Sequence, residues 1–463
     1  MTTEIKCGLE IHGYIKTPAN VKLFCNCLAH SSEAPNTNIC PVCTGQPGCK
    51  PMPANEEAIR AVCSIALMLG CRINHSLIFQ RKHYDWPDMP TGYQRTMSGS
   101  FSAPVGENGS FLGIGIREVH LEEDPARWDP KTGAVDYNRS GCPLVEIVTE
   151  PDFKSASELR EWLKRLVRTL SYIKAIDEEA GIKSDVNISI APRFSRVEIK
   201  NVNSFTSIVQ AAEYEISRQE QEVRAGRHVE QSTMRWNDDK ARTEFMRSKE
   251  TAQDYMFIPD PDLPVISIGD AYIKDLEAGL PEKPDQKASR YRKLGVDKAD
   301  ADVLSSEIEL ASLFEVIAEQ VNPVLAARWL RRELLRVLNY NKKELAAIKL
   351  EEKQIIALLE MVEKHEITDA VAKRILEMLI EKPFDVRGYV KEQRLAAISD
   401  DDTLRRLCKE AIQENPQAVA DFKGGNEKAL NFIVGSVMKK TKGKARPDAV
   451  KRMISLELNS LEP

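Results

Sequence analysis

A chain of 463 residues exceeds what one ordinary hydrophobic core can organise, so about two to four domains are expected. Hydrophobic residues at 42% and charged residues at 29% exclude a disordered chain, and a net charge of -5 excludes a protein coated in basic surface, though not a local basic patch. The opening MTTEIKCGLEIHGYI lacks the apolar centre of a signal peptide, and no run approaches the roughly 18 apolar residues of a membrane helix; a soluble, cytoplasmic protein with no membrane contact is expected.

The first strand pattern, IKCGLEIHGYI, sets Glu10 and His12 two residues apart, hence on one face. Next comes CNCLAHSSEAPNTNICPVC. Cys25, Cys27, Cys40 and Cys43 form a C-x-C and a C-x2-C pair, which in a cytosolic chain reads as a structural zinc site; ordinary thiols are the alternative, and His30 can replace one ligand. The other six cysteines, Cys7, Cys49, Cys63, Cys71, Cys142 and Cys408, are scattered and read as inert thiols. FQRKHYDWPDMPTGYQ interleaves Arg81, Lys82, His83, Tyr84, Asp85, Trp86, Asp88, Tyr93 and Gln94 with prolines. Such a rigid loop can hold phosphates or stack a base; the plainer alternative is a turn whose aromatics cap the core.

LGIGIREVHLEED then puts His120 and Glu122 on one strand face and Glu123 on the other, and LVEIVTEPD adds Glu146 and Glu150. Carboxylates with an imidazole suit a hard divalent cation such as magnesium, while glutamates paired with surface lysines or arginines are the alternative. SASELREWLKRLVRTLSYI predicts a helix with Ser155 and Glu158 as a capping box and Leu159, Leu163, Leu166, Val167 and Leu170 on its buried face. DVNISIAP and RVEIKNV continue the strand patterns, and VQAAEYEISRQEQEVRAG predicts a second helix capped at Gly226.

Beyond residue 290 the pattern turns helical. Leu325, Trp329, Leu330, Leu334, Val337 and Leu338 form one stripe, and Ile367, Val371, Ile375, Met378 and Leu379 another. From about residue 402 a further helical segment follows, divided by Gly424 and Gly425. Residues 423 to 452 hold nine Lys or Arg against Glu427 and Asp448; KKTKGKARP, with its flexible glycine, is either a solvated face or a phosphate-backbone contact. Walker, Rossmann and nucleophile-elbow signatures are missing, so any ATP pocket is of a less familiar kind.

In order along the chain, GLEIH, FQRKHYDWPDMPTGYQ, REVHLEEDPAR, VDYNRSGCPLVEIVTEPD, DVNISI, EIKNVNS and FMRSKETAQDYMFIPDPDLP resemble the motifs of GatB, a component of the tRNA-dependent amidotransferases, and its archaeal relative GatE. The terminal FIVGSVMKKTKGKARPDAV looks like their YqeY-like tail, and with no room for the extra domain typical of GatE the GatB branch is favoured. The resemblance implies an α+β class: a mostly antiparallel catalytic cradle over residues 1–292, an all-α domain over 293–401 and a small helical tRNA-binding tail over 402–463. It implies ATP-dependent transamidation of misacylated Asp-tRNA(Asn) or Glu-tRNA(Gln), by phosphorylation of the side-chain carboxylate and displacement by ammonia from a partner amidase. The partners implied are that amidase subunit (GatA), a small subunit (GatC) and the tRNA, with a non-discriminating aminoacyl-tRNA synthetase as a further candidate. Alternatives are a GatE-type subunit specific for Glu-tRNA(Gln) and a non-catalytic tRNA-binding scaffold for an amidase.

Carried over residue by residue, the resemblance implies a magnesium site from Glu10, His12, Glu122 or Glu123, and Glu146, with His120 behind it, and catalytic roles for His12, Glu122, Glu123 and Glu146. Lys82, Tyr84, Asp88, Tyr93, Gln94, Asp185, Asn187, Ser189, Lys200, Asn201 and Arg247 map to an ATP and substrate cradle, continued by Asn203; Arg247, Ser248 and Lys249 face either nucleotide or the tRNA acceptor end, with turn and strand-edge hydrogen bonding as the alternative. Thr91 stands where relatives often carry lysine. Lys439, Lys440, Lys442, Lys444 and Arg446 map to tRNA contact. The cofactors implied are ATP, Mg2+ and a structural Zn2+.

Overall fold

Ten segments with alternating polar and apolar residues pair edge to edge in the computed structural model. It describes residues 4–29, 34–84, 86–177, 182–248, 256–398, 400–424, 426 and 428–459, and only the backbone of Asn201, Arg247, Ser248, Lys423 and Asn459. His30, Asp85, Lys249 and Gly425 lie outside the described residues.

The ten strands are β1 (Ile5–Tyr14), β2 (Gln80–His83), β3 (Tyr93–Thr96), β4 (Ile114–Glu123), β5 (Pro143–Thr149), β6 (Ile182–Ile190), β7 (Val197–Val202), β8 (Ser232–Asn237), β9 (Arg242–Ser248) and β10 (Met256–Pro259). They line up as β9-β8-β7-β6-β1-β5-β4-β3-β2-β10. Every pair on this path is antiparallel except β7 with β8. Two further strands, Arg72–Ile73 and Gly106–Phe111, attach beside β4.

Alternate residues sort to opposite faces of the pleat. Leu9, Ile11, Val119, Leu121, Val145, Ile147, Val186, Ile188, Val197 and Ile199 fill one face and are buried. Three helices cover that face: α1 (Glu56–Met68), α2 (Ala156–Tyr172) and α3 (Phe205–Arg224). Deleting one such aliphatic side chain costs about 2–5 kcal/mol, so this layer holds the sheet flat against its helices. The in-between residues belong to the other face, and they are the polar ones.

The helices qualify the sequence reading in particular places. α1 was not singled out in the sequence: Ala58, Ile59, Val62, Cys63, Ile65, Ala66 and Met68 are buried, and Glu56, Glu57, Arg60 and Ser64 line its less buried side at helical spacing. Asn55 caps it, accepting from the Glu57 and Ala58 amides. At α2 the Ser155 hydroxyl accepts from Glu158 N at 3.1 Å, while the Glu158 carboxylate reaches back to Lys154 N at 2.7 Å, one residue beyond the usual box partner. Val167, expected on the buried face, is exposed, because it sits one position round the helix from Leu166. α3 begins at Phe205, earlier than its pattern, behind the Ser204 cap; Gly226 takes the left-handed φ of +72° expected after its end.

The chain divides into two units, Met1–Lys283 and Pro284–Pro463. The second is helical, with one apolar cluster from Ala288 to Val390 and another from Leu404 to Leu458. Trp329, Leu330, Leu334, Val337 and Leu338 are buried as a stripe, Leu325 partly so, with a π-helical turn at Leu330–Leu334 in the middle. Ile367, Val371, Ile375 and Leu379 are buried, but Met378 is exposed at the edge of its stripe. The basic loop is not the flexible segment its glycine suggested. Carbonyls of Lys442, Gly443 and Lys444 accept from Arg374 Nη2 (2.7 Å), Thr368 Oγ1 and Ile398 N (2.9 Å). Gly443 has φ +78°, and a Cβ there would lie 3.2 Å from the Ala370 Cβ. Among the described residues no helix is long and apolar enough to cross a membrane.

Candidate functional site

The polar face of the sheet gathers residues that lie far apart in sequence. Across β6, β1, β5 and β4, Lys183 lies opposite His12, His12 opposite Glu146, and Glu146 opposite His120. His12 Nε2 stands 3.4 Å from Glu146 Oε2 and 3.7 Å from Glu122 Oε1. One ligand atom from each of His12, Glu122 and Glu146 falls within 4.8 Å of the others. His120 is fully buried; its Nε2 meets Glu146 Oε2 at 2.9 Å, and its Nδ1 has no hydrogen-bond partner.

Charges in this centre are strongly coupled. Burial opposes ionisation of Glu146, but the imidazoles of His120 and His12 outweigh it and hold the carboxyl well below its ordinary range. Burial likewise opposes protonation of His12, yet Glu146 and Glu122 raise its pKa to about 9. His120 is raised for the same reason. Imidazolium charge thus takes the place that a cation would fill. Carboxylate oxygens with an imidazole form a donor set suited to a divalent metal, and the orphan Nδ1 of His120 sits directly behind it.

On the β6–β7 flank a second acidic group forms from Glu10, Asp185 and Glu198. Lys200 Nζ lies 2.6 Å from Asp185 and 2.9 Å from Glu198. Asn187 donates to Glu10 at 3.1 Å, and its own Oδ1 is buried without a partner. Burial, then the Glu146 and Asp185 charges, raise the Glu10 carboxyl. Ser189 follows on the same face of β6.

Glu123 goes elsewhere. Neighbouring strand residues point to opposite sides, and Glu123 accepts from Arg95 N at 2.9 Å and lies 3.4 Å from Arg95 Nη1. Arg95 Nε also meets Asp260 at 3.1 Å, and Arg81 bridges Asp260 (3.1 Å) and Asp262 (2.7 Å). The two aspartates of PDPDLP, assigned no role in the sequence, lock β2 and β3 to the following segment. Glu10, His12, Glu122 and Glu146 therefore share the polar face, and Glu123 sits in a buried ion-pair network.

The loop between β2 and β3 lies against that network. Tyr84 is pushed up by burial and by the nearby Asp88, Glu122, Glu123 and Asp124 charges. Asp88 keeps a buried, partnerless Oδ1, and burial raises its carboxyl. Arg95 Nη2 donates to the Tyr93 hydroxyl at 3.2 Å, and Gln94 Nε2 donates to the Glu123 carbonyl at 2.9 Å. Thr91 spends its hydroxyl on the Tyr93 carbonyl at 2.7 Å. Lys82 sits in β2 opposite Gln94. Trp86 is exposed and packs edge-on against Trp128, their ring centres 5.5 Å apart. Asn201 lies in β7 and Arg247 in β9; their side chains are outside the description.

At the other flank stands a group the sequence did not flag. Tyr14 donates to Asp124 at 2.9 Å and Arg139 Nε meets the same oxygen at 2.9 Å. Burial raises Asp124 to about 6, with Arg139 pulling the other way. Lys183, two residues before Asp185, stands 5.6 Å from the centre of the Tyr14 ring. A lone lysine ahead of DVNISI has no sequence signature; only the strand register reveals it.

The four cysteines converge as the spacing predicted, Cys25, Cys27, Cys40 and Cys43 lying with all sulfurs within 4.8 Å. Hydrogen bonding from the Cys25 thiol pulls Cys43 toward the thiolate, the state a metal binds. The knuckle is stitched to the segment carrying Arg139. Buried Lys22 donates to the Asn38 and Tyr137 carbonyls (3.3 and 3.1 Å), Ser140 Oγ to the Cys43 carbonyl (2.9 Å), and Asn38 N to Asn138 Oδ1 (2.9 Å). A Cβ on Gly45 would lie 2.7 Å from the Pro90 carbonyl carbon, so glycine lets the knuckle press against the loop before β3.

In the second unit Lys440 is engaged by Glu414 at 2.6 Å, and Lys444 donates to the Arg394 carbonyl at 3.3 Å. Lys439, Lys442 and Arg446 are exposed and make no ion pair among the described residues.

A sequence profile of the GatB/GatE catalytic domain matches residues 5–274, and one of the GatB domain matches residues 312–458. The chain is 43% identical to the B subunit of the aspartyl/glutamyl-tRNA(Asn/Gln) amidotransferase of Methanocaldococcus jannaschii, over 98% of this chain and 97% of that one. It is 46% identical to the protein of that name in Methanothermobacter thermautotrophicus (97% and 99% covered) and 45% identical to that of Methanobrevibacter smithii (95% and 97% covered).

Proposed function

Because the chain belongs to the GatB/GatE family, we propose that its polar sheet face carries out ATP-dependent amidation of aspartate or glutamate misattached to tRNA. The observation that carries this reading is the cluster of His12, Glu122 and Glu146, with Glu10 alongside, on the polar face that the helices leave uncovered.

A carboxylate is a poor electrophile. In the proposed reaction one of its oxygens attacks the γ-phosphorus of ATP, the bond to the bridging oxygen breaks, and ADP leaves. Ammonia then adds to the acyl carbon, phosphate departs with the electron pair of the C–O bond, and the nitrogen loses a proton. Such transfers depend on positioning and charge neutralisation. His12, Glu122 and Glu146 would hold a magnesium ion, and when bound it supplies positive charge beside the transferring phosphoryl group. His120 fixes Glu146 from behind, and Lys200 and Asn187 hold the Glu10 flank in shape. Glu123, Arg95, Asp260 and Arg81 anchor the strands under the loop that lines the pocket. The four cysteines would bind a structural zinc that braces the Arg139 segment, its ligands all protein and leaving no position for substrate.

The second unit is proposed to hold the tRNA through Lys439, Lys442 and Arg446, by phosphate and shape contacts more than base reading. An amidase subunit supplies ammonia and a small subunit completes the assembly, working in the cytoplasm. The test is reconstitution with both subunits, glutamine, ATP and each misacylated tRNA. Glu146→Gln should abolish amide formation and leave tRNA binding intact; full amidation by that variant would reduce the chain to a scaffold.

A further inference from the structure

Charge is distributed unevenly along the polar face. At the β6–β7 flank three carboxylates, Glu10, Asp185 and Glu198, share one cation, Lys200. Along the same strands, toward Tyr14, the balance reverses: Lys183, on β6 two residues before Asp185, feels the charges of Arg139 and Arg127 and of Asp124, and Arg139 feels Asp124 and, more weakly, Asp88. Asp124 is already committed, to Arg139 and the Tyr14 hydroxyl on the same oxygen. Arg139 is committed too, with Nε also on the Pro125 carbonyl and Nη2 on the Ala126 carbonyl, both at 2.8 Å.

Lys183 is different. It makes no hydrogen bond or ion pair among the described residues, and its ammonium rests over the Tyr14 ring. The ladder fixes it directly across from His12, one strand from the His12, Glu122 and Glu146 centre. A half-buried ammonium beside a carboxylate cluster, held by a ring and facing no anion nearer than an Asp124 already hydrogen-bonded to Arg139 and Tyr14, can take a further one.

We infer that Lys183 binds the side-chain carboxylate of the aminoacyl group, and that this contact lets the site distinguish the acid substrate from its amide product. The inference rests on the proposed amidation. The acid-rich stretch around Glu10, Asp185 and Glu198 favours the cation-bearing nucleotide, and the cation-rich stretch toward Tyr14 favours the free carboxylate, so each reactant has its own part of the polar face beside the centre. After amidation the side chain carries no charge, its charge-assisted bond to Lys183 is lost, and the product is released in preference to the substrate. The other oxyanion this flank can take is a phosphate of ATP.

The test uses the assembled complex and stable, amide-linked tRNA analogues carrying an acidic or an amidated side chain. Wild type should bind the acidic analogue about 10- to 100-fold more tightly. Lys183→Met should remove that preference while leaving the amide analogue's affinity and the KM for ATP unchanged. A retained preference overturns the inference, and so does a variant that raises the KM for ATP instead, which would place a phosphate on Lys183. Should Lys183→Met weaken every ligand, Lys183→Arg decides: restored preference supports carboxylate binding, and its continued absence overturns it. Failure of the amidation reading looks different, since the wild-type complex would then form no amide from any misacylated tRNA.

Discussion

Glu122 and Glu123 are adjacent and chemically identical, and the structure gives them opposite fates. Glutamine at 123 keeps the shape and can still accept the Arg95 amide at 2.9 Å, but it removes a charge from a network in which Arg95 and Asp260 are each 5% exposed. Breaking a buried ion pair outright costs about 3–5 kcal/mol. Arg95 here retains Asp260 at 3.1 Å, and the burial that raises the Glu123 carboxyl no longer opposes folding, so the expected loss is about 1–3 kcal/mol. For the unit spanning Met1–Lys283 that lowers the midpoint of thermal unfolding by about 3–10 °C. Glutamine at 122 relieves repulsion from Glu146 but also removes a carboxylate facing the His12 imidazolium at 3.7 Å; the two effects oppose each other, and the change in stability should be smaller than at 123. The same variant should slow amide formation by about 100-fold or more. Thermal unfolding by circular dichroism, with amidation by the assembled complex assayed below both transitions, separates the two effects. The reasoning fails if Glu123→Gln melts with wild type yet is inactive, or if Glu122→Gln is the variant that melts early.

Cys40→Ser should abolish bound zinc, read by elemental analysis of the purified protein, and unchanged zinc content would refute the four-thiolate site. Metal binding at the catalytic cluster should strengthen as pH rises from 7 to about 9. Burial disfavours charged His12, but Glu146 and Glu122 hold it protonated up to about 9, so below that value a divalent ion must displace a proton. Without metal the sign is opposite: the raised His12 contributes stability below its ordinary 6.5 that is lost as pH rises through about 9. Calorimetric manganese or magnesium titrations that show flat affinity from pH 7 to 9 would refute the linkage. Replacing Lys439, Lys442 and Arg446 by alanine should weaken tRNA binding for every sequence and reduce the salt slope by about two to three, whereas Lys440→Ala, already paired with Glu414, should do much less.

The sequence exposed this site through alternation. Glu10 with His12, and His120 with Glu122, read as pairs on one strand face because a side-chain period of two survives any register. What alternation does not contain is which strands become neighbours. That Lys183 faces His12, and that Asp185 and Glu198 gather around Lys200, follow only from the order β7-β6-β1-β5-β4. Asp260 and Asp262 stand within a motif but had no visible partner, since Arg81 and Arg95 lie some 170 residues earlier. The convergence of Cys25, Cys27, Cys40 and Cys43 was legible because the four lie close together in sequence. α1 was legible too, through Glu57, Arg60 and Ser64 spaced against Ile59, Val62, Cys63 and Ala66, but it was not singled out.

The pleat that separates Leu9 and Ile11 from Glu10 and His12 also separates two kinds of selection. Every second letter of β1, β4, β5 and β6 answers to the helices behind the sheet, and the letters between answer to the chemistry proposed for the polar face in front. A point change therefore tends to challenge either persistence of the fold or rate of reaction, and lineages can adjust one while the other is held. Insertion of a single residue in any of these strands is the exception, since it would turn the reactive side chains into the core and the core into water at one stroke.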